Sequence, residues 1–155
     1  MHLIEVDKPH SEQEFLDVAR VLYRDDPNFV CILDNEIRRL FDPERNRLFN
    51  QGDAKRWVLK DADGKLIGRI AAFYNKEKAS KYKQPTGGVG FFECIHDTNA
   101  ARILFDAARN WLQGAGMEAM DGPINFGEND QYWGLLVDGF TNPAFGVNYN
   151  PPYYE

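Results

Sequence analysis

"GGVGFFECIHDTNAARILFDAARNWLQGAGM", residues 87–117, decides the fold. Its first nine residues mix glycine with Val, Phe, Cys and Ile and show no helical period, so they predict a strand. The glycines allow a bulge or a close backbone approach. From Asp97 the pattern changes. Ala101, Leu104, Ala108 and Trp111 recur at three- and four-residue steps, with Leu112 beside them, which is the buried face of a helix. Asp97 or Thr98 can cap its start, and Gly114 or Gly116 supplies the left-handed residue that stops it. "EAMDGPI" (118–124) then reads as a further short strand.

Upstream, "KRWVLKD" (55–61) and "KLIGRIAAFYN" (65–75) are strand-like runs joined through Asp63-Gly64, a strong hairpin signal. With the strand from residue 87 they make an antiparallel meander of three. The lysine-rich "NKEKASKYKQ" (75–84) reads as an exposed loop between the last two. "HLIEVD" (2–7) alternates and predicts a first strand. Ser11 and Glu14 have the spacing of a capping box, and Phe15, Val18, Ala19 and Leu22 form one apolar helical face that Pro27 ends. A short helix is expected over 34–41, before Pro43. The order is β-α-(α)-β-β-β-α-β and then loop, an α+β class.

At 155 residues the chain is read as one domain. A chain of this size buries about 70% of its unfolded surface and needs no staples. The net charge of −6 argues against non-specific nucleic-acid binding, which needs a basic face. No apolar run approaches the roughly 20 residues of a membrane span, and "MHLIEVDKPH" turns polar too soon for a signal peptide, so a cytoplasmic location is expected. Cys31 and Cys94 lie far apart in apolar settings and are expected to be free thiols. The three histidines, His2, His10 and His96, are too scattered for a metal site, and no metal is expected.

"GPINFGENDQYWG" (122–134) is the stretch richest in polar turn residues. Asn125, Glu128, Asn129 and Asp130 offer donors and acceptors, with Tyr132 and Trp133 as apolar wall. Asn and Asp also stabilise turns by bonding their own backbone, so a turn-making loop and a ligand-facing loop both remain open. Lys76, Lys78, Lys81 and Lys83 form a solvated face or an electrostatic contributor to a phosphorylated ligand.

"GRIAAFYN", "GFFECI", "LFDAARNWL", "GPINFGEND", "GLLVDGF" and "YNPPYY" together resemble a bacterial group within the GNAT-type acyl-CoA N-acyltransferase superfamily. The resemblance implies a mostly antiparallel mixed sheet with helices on both faces. It also implies a chain that continues past "YNPPYY" into a last helix and strands, so this chain is expected to leave a sheet edge and its aromatic tail, "NYNPPYYE" (148–155), for a homodimer to cover. In that family the loop after the fourth strand, Q/R-x-x-G-x-G/A, turns backbone N–H groups onto the pyrophosphate of acetyl-CoA or another acyl-CoA. By position it falls on His96 to Ala101, with Thr98, Asn99, Ala100 and Ala101 as the cofactor-binding residues. His96 replaces the Gln or Arg and Asn99 stands at the first Gly, and the Asp97 carboxylate beside a pyrophosphate repels it. Glu93, late in the fourth strand, stands where some members carry the base that takes the substrate amine's proton. Asn125, Asn129 and Trp133 are the expected substrate-binding residues. Tyr149, Tyr153 and Tyr154 offer hydroxyls of the kind that serve as general acid, although packing accounts for them as well. The implied activity is acyl transfer to an amine. A non-catalytic ligand-binding or dimerisation module of the same fold, or an inactive fragment, is the alternative.

Overall fold

The computed structural model describes residues 1–81, 83–124, 126, 134–144, 147 and 149–154. Five strands form one sheet in the order β1-β2-β3-β4-β5: β1 His2–Glu5, β2 Gly52–Lys60, β3 Leu66–Asn75, β4 Thr86–Cys94 and β5 Ala119–Asp121. The first four pair antiparallel with their neighbours, and β5 alone runs parallel to β4. The expected meander of β2, β3 and β4 is therefore present. Its hairpin turns at Gly64, whose φ of 81° a side chain rarely adopts.

Helices α1 (Pro9–Leu22) and α2 (Asp34–Leu40) cover one face of the sheet. On the far side of the chain, after the single turn α3 (Lys76–Ala79), helix α4 (Thr98–Gly114) covers the other. Alternation along the strands divides the core between them. On β2, Trp57 and Leu59 face α4 while Val58 faces α1. α4 buries Ala100, Leu104, Ala108 and Leu112, the stripe its periodicity predicts. Leu104 and Leu112 are each at most 2% exposed, and each contributes about 1.5–3 kcal/mol by burial. Asp97 caps the helix by accepting from the Ala100 N–H at 2.9 Å, and Gly116 ends the turn beyond it with φ 86°.

Two local expectations are corrected. Helix α1 starts at Pro9, before Ser11, because a proline at the first helical position is preset in φ and its missing N–H needs no partner. Ser11 still serves that end, from inside the helix: its Oγ accepts from the Lys8 N–H at 3.1 Å and donates to the Lys8 carbonyl at 3.0 Å. Glu14 does not cap; it pairs with Lys60 and lies 3.0 Å from His10. The stretch read as a loop from residue 75 contains the helical turn α3, capped by the Asn75 side chain and anchored by buried Ala79.

Two features set β4 apart from the other strands. Arg69 faces Glu93 and Ala71 faces Gly90, so two steps on β3 are matched by three on β4. The extra residue is a bulge, with Phe91 at φ 52°. β5 meets β4 only at Thr86, Gly87 and Gly88. The chain then passes close over β4, where the Ile124 N–H donates to the Val89 carbonyl at 3.0 Å. A Cβ on Gly90 would stand 2.0 Å from the Ile124 oxygen, so only glycine admits this crossing.

The aromatic tail finds cover within its own chain. Asn150 is buried and exchanges hydrogen bonds with both backbone groups of Leu136. Tyr149 packs edge-on to Tyr23 and donates to Asp26 at 2.7 Å. Pro152–Tyr154 forms a 3-10 turn whose rings lie over the end of β4.

Gly90→Ala is expected to destabilise the fold by about 1–3 kcal/mol through overpacking. Gly114→Ala, with nothing within 4 Å of its added Cβ, is expected to be neutral or stabilising. Thermal denaturation of the two variants decides it, and equal melting temperatures would contradict the crossing.

Candidate functional site

β4 ends at Cys94 after β5 has parted from it, which leaves the outer edge of residues 90–94 without a strand among the described residues. The tail takes part of that edge. The Cys94 N–H donates to Tyr154 Oη at 2.7 Å, and Tyr153 Oη donates to the Cys94 carbonyl at 2.8 Å. Phe92 holds the Tyr154 ring at 5.1 Å, and His96 stacks on Tyr153 at 4.7 Å.

Glu93 projects to the opposite face, toward α1. It is 9% exposed. Tyr23, just past the end of α1, donates to its Oε2 at 2.7 Å, and Tyr154 reaches the same oxygen at 3.3 Å. Arg69 Nη2 lies 3.6 Å from Oε1. Burial pushes the Glu93 carboxyl above the ordinary value of 4.5, while Arg69 and the two tyrosine hydroxyls pull against it. Burial wins because the arginine stands beyond close hydrogen-bond range and cannot fully replace water. Burial and then the Glu93 charge hold the Tyr23 and Tyr154 hydroxyls well above their usual range.

Arg69 is itself enclosed. It donates to the Phe15 carbonyl at 2.8 Å and lies over the Phe15 ring at 5.0 Å, while its Nε has no partner among the described residues. The Cys94 thiol is pushed up to about 11 by burial and then by the charges of Asp97 and Glu93, so it is not a thiolate nucleophile at neutral pH.

The candidates fall in two groups. Glu93 and the opening of α4 (Thr98, Asn99, Ala100, Ala101) lie on either side of Cys94, at one end of the sheet. Asn125, Asn129 and Trp133 lie outside the described residues, as do Glu128, Asp130 and Tyr132. The lysine-rich loop is at the far end of β4. Eight residue steps of strand separate Thr86 from Cys94, about 26 Å at 3.3 Å per residue, so those lysines do not serve a phosphate at α4. Among the described residues no group of three or more His, Cys, Asp or Glu is placed to hold a metal, and no helix is long and apolar enough to cross a membrane.

At the α4 opening one of the orphan amides is already in use. Ala100 donates to the Asp97 carboxylate and Ala101 to the Asp97 carbonyl, at 2.9 and 3.0 Å. Asn99 Oδ1 accepts from Arg102 at 2.8 Å. The Asp97 carboxylate thus stands beside the first amides of α4, where its charge would oppose a diphosphate, while the Ala101 bond is the ordinary first bond of the helix.

Sequence reasoning missed Tyr23 and Arg69 as partners of Glu93. Arg69 left a signal: a lone charge inside the apolar strand "LIGRIAAF" requires a buried partner. Tyr23 left only its polar tip at the end of an apolar helical stripe.

The raised Glu93 value fixes a sign. The folded chain holds this proton to higher pH than the unfolded chain. The contribution is therefore present below 4.5 and is lost as pH rises through the folded value. Glu93→Gln keeps a carbonyl oxygen for Tyr23 and has no proton to lose. Its stability relative to wild type is expected to rise as pH climbs from 4.5, read from urea denaturation across a pH series. Parallel curves for the two proteins would contradict it.

No protein-family model matches the chain. In sequence it is 32% identical over 144 residues to Protein YghO of Escherichia coli K12, covering 90% of this chain and 35% of that protein. It is 28% identical over 159 aligned positions to the bacterial ceramide synthase of Caulobacter vibrioides, covering 99% of this chain and 40% of that one. The chain thus spans between a third and two fifths of the length of the curated relatives it matches. In structure it resembles a predicted acetyltransferase from Clostridium acetobutylicum solved with acetyl-CoA, with a TM-score of 0.54, 11% identity and 80% of each chain covered. It also resembles a GNAT-family acetyltransferase from Staphylococcus aureus Mu50, with a TM-score of 0.52, 8% identity, and 81% of this chain and 75% of that chain covered. Identities this low carry architecture and no chemistry. Strand order, the bulged β4, the parting of β5 and these neighbours agree: the chain has the fold of the GNAT-type acetyltransferases.

Proposed function

We propose that the chain carries N-acyl transfer: an amine attacks a thioester, and Glu93 receives the amine's proton. The amine nitrogen bonds the acyl carbon, the carbon–sulfur bond breaks, and the thiolate leaves and takes up the proton that Glu93 gives back. The observation that supports this reading is the enclosed Glu93 carboxyl with its raised proton affinity, beside the open edge of β4. A base is most useful when its affinity approaches the working pH. Tyr154 Oη lies between Glu93 and the Cys94 amide, so in this reading it relays the proton from the cleft.

The reading extends to the class of amine. A ceramide is an amide between a fatty acid and a sphingoid amine, and the Caulobacter relative is named for making one. We carry over an amine borne on a long apolar chain. The connection between α1 and α2 exposes Val30, Ile32 and Leu33, at 61%, 48% and 68%. Its Phe29 stacks on Tyr23 at 4.0 Å, and Tyr23 bonds Glu93. An apolar lip therefore leads to the carboxyl in two contacts. Asp25, Asp26, Asp34 and Glu36 border it together with Arg20, which pairs with Asp34, and Arg24, so the rim carries both signs of charge.

A second reading is favoured by the carboxylate-filled start of α4 and by the tail seated on β4: a non-catalytic module of the same fold. In that reading the outer edge of β5 pairs with a second copy.

The test uses the purified chain with a long-chain primary amine and a fatty acyl thioester, supplied both as acyl-CoA and as acyl-pantetheine, with amide detected by mass spectrometry. Glu93→Gln is expected to lower kcat by about 10²–10⁴-fold, and Tyr154→Phe by less. No amide from the wild type with either thioester would reject the catalytic reading. Sedimentation would then test the dimer.

A further inference from the structure

The fold is one in which a helix after the fourth strand offers its first amides to the diphosphate of an acyl-CoA, and here a carboxylate of the chain itself already holds one of them. Asp97 sits in extended conformation, φ −146° and ψ 111°, as the residue that caps α4. Its carboxylate accepts from the Ala100 N–H, and its carbonyl accepts from Ala101. Helix N-termini favour an anion because their N–H groups lack intrahelical partners and the peptide dipoles align there. An anion that is part of the chain takes the same place and adds a charge that repels a phosphate.

Three neighbouring observations point the same way. Asn99 carries a side chain where the family pattern has its first glycine for close backbone approach. The guanidinium just past the first turn, that of Arg102, is tied to Asn99. At the adjoining strand end, both backbone groups of Cys94 are taken by Tyr153 and Tyr154.

We propose that Asp97 is a resident anion that fills the diphosphate seat of this fold, so that ligand recognition by this chain does not read a diphosphate. The donor of the proposed reaction would then be held by its thioester arm alone, in the corner between β4 and the tail. The inference rests on the geometry of α4 and not on the acyl-transfer reading.

The test compares CoA with pantetheine, the same thiol arm without the diphosphate and nucleotide, by titration calorimetry on the full chain. Wild type is expected to bind CoA no more than two- to three-fold tighter than pantetheine, or to bind neither. Asp97→Asn removes the charge and keeps a capping oxygen. Asp97→Gly empties the seat, and both residues are tolerated at a helix cap. The CoA preference is expected to rise in that order, to tenfold or more in Asp97→Gly. Wild type preferring CoA by tenfold or more would overturn the proposal. So would two folded variants, checked by melting temperature, that leave the ratio of CoA to pantetheine affinity unmoved. Turnover plays no part in this readout, so an inactive but CoA-indifferent chain rejects only the catalytic reading.

Discussion

The close passage of Ile124 over Gly90 is the constraint on which this end of the molecule depends. A side chain at residue 90 would collide with the Ile124 carbonyl, and without that crossing β5 could stay beside β4 along its length. Because the chain lifts away after three paired residues, the last part of β4 has no strand beside it among the described residues, and the tail takes part of that edge. The bulge at Phe91 acts on the same stretch from the other side. It inserts one residue against β3 and sets Glu93 opposite Arg69, facing α1. One local anomaly thus opens the edge, and its neighbour turns a carboxyl inward beside it.

The groups around that carboxyl are a balance of opposing effects. Burial alone would cost an ionised glutamate several kcal/mol. Two tyrosine hydroxyls and an arginine return part of it, but the arginine divides itself between Glu93, the Phe15 carbonyl and two aromatic faces. Surface pairs such as Arg109–Asp106 contribute little by comparison, since solvent screens them. The enclosed cluster therefore sets the chemistry of this end of the sheet, while the exposed pairs mainly decorate it.

How much of this was legible in the sequence depends on the range of the interaction. The Asp63-Gly64 turn, the stripe on α4 and the Asp97 cap are local, with partners within four residues, and a linear reading finds them. Ser11 was misplaced because two capping devices competed within three residues and Pro9 prevailed. The surroundings of Glu93 were hidden for another reason. Tyr23 and Tyr154 lie 70 and 61 positions away in the chain, and no periodicity links them. The polar loop from Asn125 to Trp133, prominent in the sequence, falls outside the described residues apart from Phe126. Phe126 is buried against Phe73 and Phe49, which accounts for one apolar residue in that stretch by packing alone.

The ring triangle of Phe29, Tyr23 and Tyr149 has a mechanical consequence. Tyr23 stacks on Phe29 at 4.0 Å and meets Tyr149 edge-on at 5.9 Å, and Phe29 itself reaches Tyr149 at 6.3 Å. The tail in turn carries the two hydroxyls that cover Cys94. The loop after α1 and the tail, more than a hundred residues apart along the chain, are therefore fastened to each other as well as to Tyr23, and an anchor lost from one weakens the hold on the other.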